Sequence, residues 1–159
     1  MSDPVGSRDS ASISDRDFKV IWNRAGRAGL ATAPEYDGDA ALHLVLTFHR
    51  KVVARGLLGT LDTYEDDLNY PLPWVLQAYR ALSLHISATV IEQAFYDHYG
   101  LLIAAQYDDS HGISSDKGTA RWDRAQARID ATYTLTDAAI ARATRALIAQ
   151  APEDFAPPR

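Results

Sequence analysis

Apolar residues recur at spacings of three and four along most of this chain, and this periodicity is the feature that most restricts its fold. The pattern is clearest in the segments 18–25, 75–86, 122–133 and 139–147. Residues three and four apart share one face of an α-helix, so each segment predicts an amphipathic helix. Proline, glycine and polar residues separate the segments. The sequence therefore predicts an all-α fold, an up-and-down bundle of four to five helices.

The segment from Asp39 to Gly56 fits two patterns. Its apolar residues match helical spacing, yet the apolar residues Leu42, Leu44, Leu46 and Phe48 also recur at every second position, as in a strand. The apolar pattern continues through Leu57, which is too long for a typical strand, and glycine is common at helix ends. We predict a helix here and keep the strand as the alternative.

Capping and breaking residues predict where the other helices begin and end. Ser14 is placed to cap the first helix, and Thr136 the last. Pro73 suits the first turn of a long central helix that Gly100 would end, with a kink near residues 83–87.

Both ends of the chain differ in composition from the middle. Residues 1–13 are rich in serine, aspartate and glycine and lack an apolar period, so we expect a disordered tail. Residues 151–159 hold three prolines and cannot continue a helix, so we expect a second, proline-rich disordered tail. The predicted organisation is a single helical domain over residues 14–150.

Several classes of function are disfavoured by what the sequence lacks. The 159 residues include no cysteine, which excludes disulfide scaffolds, thiol catalysis and cysteine-based zinc sites. Glycine-rich nucleotide loops and Glu-x-x-His motifs are also missing. The apolar runs are too short to span a membrane, and no secretory signal is evident. We expect a cytoplasmic protein without a metal, a cofactor or a membrane partner.

Charge is distributed unevenly along the chain. The segment from Thr60 to Gly112 holds eight acidic residues and a single basic one, Arg80, so its net charge is −7. Such a segment is solvated or meets a basic partner, and it makes nucleic acid an unlikely ligand. Aromatic residues crowd the same segment, and tyrosine and tryptophan are enriched at interface centres. The predicted partner-binding residues are Glu65, Asp66, Asp67, Tyr70 and Trp74.

A basic stripe lies on the fourth predicted helix, where Lys117, Arg121, Arg124 and Arg128 step by three and four residues. It would meet the acidic segment of the same chain or of a second copy. We therefore expect the partner to be another protein or a second copy of this chain.

Arg80 and His85 flank four residues on the predicted central helix. This spacing resembles the Arg-(four to six)-His pair of helical HEPN ribonucleases, although Ala81 stands where that motif carries a polar residue. The resemblance implies a histidine that transfers a proton and an arginine that holds the phosphate. It supports one alternative function, that of an enzyme or enzyme subunit such as a ribonuclease.

A second polar cluster, Asp108, Asp109 and His111, falls in a predicted loop over residues 104–118. Adjacent carboxylates and a histidine suit a hard cation or acid–base work, and long loops on a rigid scaffold often carry function. We treat these residues as a possible ligand loop. The leading hypothesis remains a non-enzymatic interaction protein, such as an accessory subunit, an immunity-type protein or a regulator, with an acidic, aromatic-rich contact surface.

Overall fold

The computed structural model describes residues 12–27, 35–63 and 70–159, and these residues form seven α-helices and no strand. The prediction of an all-α fold is confirmed, whereas the expected count of four to five helices is too low. The helices are α1 (Asp15–Arg27), α2 (Asp37–Arg55), α3 (Leu57–Asp62), α4 (Leu72–Ala81), α5 (His85–Ser110), α6 (Ser115–Asp130) and α7 (Asp137–Gln150). A single 3-10 turn, Pro152–Asp154, follows α7.

The predicted central helix is two helices, α4 and α5. Ser83 adopts a left-handed conformation with φ of 59°, and the Leu84 amide donates to the Tyr79 carbonyl over 2.8 Å. This closing pattern at a helix end usually employs glycine, which made the break difficult to see in the sequence. The expected kink near residues 83–87 is therefore a complete break.

Segment 39–56 is helical, as predicted, within α2. Gly56 ends the helix with φ of 77°, and α3 begins at the next residue. The Leu58 amide at the start of α3 donates to Asp130 over 3.0 Å, so α6 caps this unexpected short helix.

Gly100 does not end the central helix. Helix α5 runs on to Ser110, and the left-handed Gly112, with φ of 66°, turns the chain just beyond it so that the Ile113 amide donates to the Asp108 carbonyl over 3.0 Å. The predicted loop over residues 104–118 is therefore wrong, and only residues 111–114 connect α5 to α6. A glycine inside a helix lowers the stability of that helix. Gly100 does not adopt the left-handed conformation that ends a helix, so α5 continues through it.

Helix α2 is the centre of the core. It packs against α1, α3, α4 and α7, while α5 packs against α3, α4 and α6. The largest fully buried side chains come from most of these helices and include Ile21, Phe48, Tyr79, Ile91 and Ile140. Among the described residues, no helix has the length and apolarity that crossing a bilayer requires.

The C-terminal segment is packed rather than loose. Phe155 is 4% exposed and belongs to the core, and the Ala156 amide donates to Asp39 over 2.8 Å. The expectation of a disordered proline-rich tail at 151–159 is wrong, because one aromatic residue among the prolines anchors the segment on α2. Most of the other expected tail, residues 1–11, lies outside the described residues.

Candidate functional site

Arg80 and His85 do not form a pair on one helix. Arg80 lies in the last turn of α4 and pairs with Glu92, with 3.3 Å between the guanidinium and the carboxylate. His85 is the first residue of α5, beyond the break, and is exposed. The break thus removes the helical spacing on which the ribonuclease alternative depends.

The acidic residues and histidine of the expected ligand loop lie at the end of α5 and point to different partners. Asp108 is buried and pairs with Arg121 of α6 over 2.9 Å. His111 donates from Nδ1 to the Tyr107 carbonyl, and its ring stacks on that tyrosine with centroids 4.0 Å apart. Asp109 is exposed. The described parts of the chain hold no group of three or more side chains suited to a metal ion.

Two clefts lie between α5 and α6. One, of about 350 Å³, is open and is lined by both carboxylates named above and by the first turn of α6. The other, of about 280 Å³, has an apolar floor that includes Val90, Ala94 and Ile129. In each cleft the nearest ion pair, Asp108–Arg121 or Asp97–Arg128, already joins the two helices. These contacts engage the charged residues of both clefts except Asp109, which is exposed at the rim of the first.

Of the predicted partner-binding residues, the structure describes Tyr70 and Trp74. Glu65, Asp66 and Asp67 lie outside the described residues. The Tyr70 hydroxyl lies 2.9 Å from Nε2 of the buried His43, so this tyrosine has a structural contact. Trp74 is 56% exposed at the first turn of α4.

The basic stripe of α6 meets acidic residues of its own chain. Arg121 pairs with Asp108, and Arg128 lies 3.7 Å from Asp97. Both contacts cross from α6 to α5, and they run along the two helices in opposite directions, as antiparallel neighbours require. Two of the four basic residues on α6, Arg121 and Arg128, therefore hold α5 and α6 in alignment.

A polar network that was not visible in the sequence joins α2, α4 and α7; its members His49 and Tyr79 are buried, whereas Asp137 at its outer end is 77% exposed. His49 contacts Asp137 through Nε2 over 3.2 Å and the Tyr133 hydroxyl through Nδ1 over 3.0 Å. The Tyr133 hydroxyl lies 2.8 Å from the Tyr79 hydroxyl. A carboxylate only accepts, so Nε2 of His49 carries the proton and Nδ1 accepts from Tyr133.

Burial favours the neutral forms of His49, Tyr133 and Tyr79 and shifts the pKa of each of these three groups accordingly. It lowers the pKa of His49, against the opposing effect of Asp137. Burial also raises the pKa of Tyr133 to about 12 and that of Tyr79 well above its ordinary value. Each neutral group has a hydrogen-bond partner, so these contacts form a satisfied structural network that fixes the start of α7.

One face of α5 is apolar and exposed over three turns. Six large side chains form this face, which we call the α5 stripe: Phe95, Tyr96, Tyr99, Leu102, Ile103 and Tyr107. At 100° per residue they fall within an arc of about 140°. No charged residue lies in that arc between Glu92 and Asp109.

The α5 stripe is large for an exposed apolar surface. Tyr96 and Tyr99 are each about 60% exposed, and the least exposed member, Phe95, is 38% exposed. With the 150–250 Å² that an aromatic side chain can bury, six half-exposed residues present on the order of 600 Å². Monomeric proteins rarely expose larger patches, and patches of this size commonly mark binding sites.

The α5 stripe was not predicted from the sequence. The aromatic crowding of segment 60–112 includes Phe95, Tyr96 and Tyr99, but the predicted contact residues lie elsewhere and the predicted helix ended at Gly100. The missing signal was the continued spacing of Tyr99, Leu102 and Ile103, which extends the same face by another turn.

Comparisons with known proteins identify no relative. No protein-family model matches the chain, and neither the curated proteins nor the solved structures include a significant match. The geometry of the described residues is therefore the basis for a functional assignment.

Proposed function

We propose that this chain is a non-enzymatic helical interaction protein of the cytoplasm, and that the α5 stripe is its contact surface. The observation that carries the proposal is the stripe itself: six large apolar side chains that the described fold leaves uncovered. Burying that surface against a partner releases the water that covers it, at about 25 cal/mol per Å² of apolar area.

The composition of the stripe supports protein binding. Three of its members are tyrosines and one is phenylalanine, and aromatic residues are enriched at the centres of protein interfaces, where charged residues are depleted. Charged groups lie at the two ends of the stripe, at Glu92 and Asp109, as in a polar rim. This surface belongs to the acidic, aromatic-rich segment, but its centre is apolar.

The polar groups give less support to an enzyme. Arg80 is engaged by Glu92, Asp108 is engaged by Arg121, and the His49 network is satisfied internally. General acid–base catalysis needs a titratable group within reach of a substrate, and these groups are committed to structural contacts.

The test is native mass spectrometry of the protein isolated from its own host. The stripe variant Tyr99→Glu/Ile103→Glu places two charges in the centre of the surface. The matched control, Val53→Glu/Ile86→Glu, places two charges at exposed apolar residues elsewhere, which are 72% and 84% exposed.

We expect wild type and control to carry a bound protein, and the stripe variant to appear at the chain mass of 17.5 kDa. Circular dichroism should show the same helix content in all three, because the altered side chains are exposed. A wild-type protein without a partner, or a stripe variant that keeps its partner, contradicts the proposal.

A further inference from the structure

We propose that the partner of the α5 stripe is a second copy of this chain, with the two α5 helices antiparallel and centred near Leu101. This inference rests on the proposed function, because it uses the same surface. Most homo-oligomers are two-fold dimers, and a two-fold interface requires one surface that complements itself when reversed.

The order of side chains along the stripe satisfies that requirement. Aromatic residues stand at both ends, Phe95 and Tyr96 at one and Tyr107 at the other, while Leu102 and Ile103 lie between them. Reversing the helix about Leu101 brings Tyr96 toward Tyr107 and Tyr99 toward Ile103. Leu102 falls opposite Gly100, and Phe95 falls opposite Gln106 and Tyr107, so large side chains meet at most positions of the contact and Leu102 faces the smallest residue.

The charges around the stripe favour the antiparallel arrangement. Arg80 lies at the end of the stripe near Glu92, and the acidic Asp109 lies at the opposite end. In an antiparallel pair, Asp109 of each copy approaches the Arg80–Glu92 ion pair of the other, which carries no net charge, whereas a parallel pair brings the two Asp109 residues together. The antiparallel arrangement therefore avoids a contact between like charges, an effect that fixes orientation more than it adds affinity.

The area of the stripe is close to what a dimer requires. A standard stable interface buries about 800 Å² on each partner, and the stripe presents on the order of 600 Å². The polar residues at its ends, Glu92 and Asp109, would contribute much of the remainder. Two copies of the stripe therefore supply an interface of ordinary size.

The first experiment measures the mass of the purified full chain by sedimentation equilibrium. We expect a concentration-dependent mass approaching twice 17.5 kDa for wild type and for Val53→Glu/Ile86→Glu. The Tyr99→Glu/Ile103→Glu variant should remain at 17.5 kDa, with its dissociation constant raised at least tenfold.

The second experiment tests the orientation with single cysteines, which the natural chain lacks. We choose Phe95→Cys and Gln106→Cys, which lie on the same flank of α5 and on opposite sides of Leu101. In the antiparallel pair each residue approaches the other, while identical residues lie about 16 Å apart at 1.5 Å per residue. A disulfide needs Cβ atoms about 4 Å apart, so only the mixture of the two variants should cross-link.

The outcomes separate this inference from the proposed function. A purified chain that stays monomeric at high concentration overturns the second-copy inference, while a stripe-dependent complex with another protein in the host leaves the proposed function intact. Cross-links within each single-cysteine variant, rather than in the mixture, overturn the antiparallel arrangement. A dimer that the stripe variant does not weaken overturns the second-copy inference, and a host partner that the stripe variant also keeps overturns the proposed function.

Discussion

Asp39 joins three parts of the chain from a buried position. Its carboxylate accepts from Arg24 of α1 over 2.8 Å and from the Ala156 amide over 2.8 Å, and the residue is 4% exposed. Arg24 also donates to the Ala156 carbonyl over 3.0 Å. One ion pair thus fastens α1 and the C-terminal segment to the start of α2.

Removing this carboxylate should be costly. Asp39→Ala leaves Arg24 without its counter-charge and the Ala156 amide without an acceptor, so we expect the free energy of unfolding to fall by about 2–4 kcal/mol. Urea denaturation of the variant measures this. The control is Glu92→Gln in the exposed pair with Arg80, where we expect less than about 1 kcal/mol. Equal losses in both variants would contradict the special role of Asp39.

Replacing each of two helical glycines by alanine should change the free energy of unfolding in opposite directions. A Cβ at Gly38 would lie 2.6 Å from the Phe155 ring and 2.7 Å from the Asp154 carbonyl, whereas a Cβ at Gly118 meets nothing within 4 Å. Gly38→Ala should lower the free energy of unfolding by about 1–3 kcal/mol, because the C-terminal segment must move. Gly118→Ala should raise it by about 0.5–1 kcal/mol through helix propensity. Thermal unfolding of both variants checks the signs, and stabilisation by Gly38→Ala would rule out the packed segment.

At the residue level, the sequence predicted the local contacts and missed the distant ones. Ser14 and Thr136 accept hydrogen bonds at the starts of α1 and α7, as their positions indicated. The contacts of Asp39 with Ala156 and of His49 with Tyr133 join residues 117 and 84 apart. Such pairs depend on how helices are placed in space, which spacing along one helix does not reveal.

At the level of helices, amphipathic periodicity predicted most of the architecture. It gave the correct type for α2 in spite of the alternating residues, since length distinguishes a helix from a strand. It failed at helix ends. The chain turns at Ser83, a residue seldom left-handed, and continues through Gly100, a residue that often stops a helix. The backbone conformation at these positions follows from packing, and so the boundaries could not be predicted from residue type.

Docking of α7 should depend on pH through His49. Burial lowers the pKa of this histidine below 6.5, with Asp137 opposing the shift and Arg50 adding to it. The unfolded chain therefore binds the proton first as the pH falls. The contribution of neutral His49 is complete above pH 6.5, and it is lost as the pH falls from 6.5 toward the lower folded-state pKa.

Urea denaturation at several pH values measures this effect. We expect the wild-type free energy of unfolding to decrease from pH 7 toward pH 5 more steeply than that of His49→Gln, which has no proton to bind at this site. Asp137→Asn should steepen the wild-type decrease, because it removes the group that favours protonated His49. Parallel pH profiles for wild type and His49→Gln would contradict this account.

At the scale of the whole molecule, the net charge of −5 opposes self-association. Two copies repel at long range, and salt screens that repulsion over a Debye length of about 8 Å at physiological ionic strength. An apolar contact between copies should therefore tighten, or stay unchanged, as salt is added.

A titration of sodium chloride in sedimentation experiments distinguishes the two kinds of surface. We expect the dissociation constant of the dimer to stay level or fall with rising salt. The acidic surface around Glu65, Asp66 and Asp67 would instead bind a basic partner, and that association would weaken with salt. Self-association that weakens steeply with salt would contradict an interface centred on the apolar stripe.

Hydroxyl-radical footprinting measures directly whether the α5 stripe is covered when the protein binds its partner. The complex is compared with the monomeric chain, with Trp74 as an exposed internal reference outside the stripe. We expect Tyr96, Tyr99 and Tyr107 to lose most of their labelling in the complex, while Trp74 keeps its own. Equal labelling of the three tyrosines in the complex and in the monomer would show that the α5 stripe is not the contact surface.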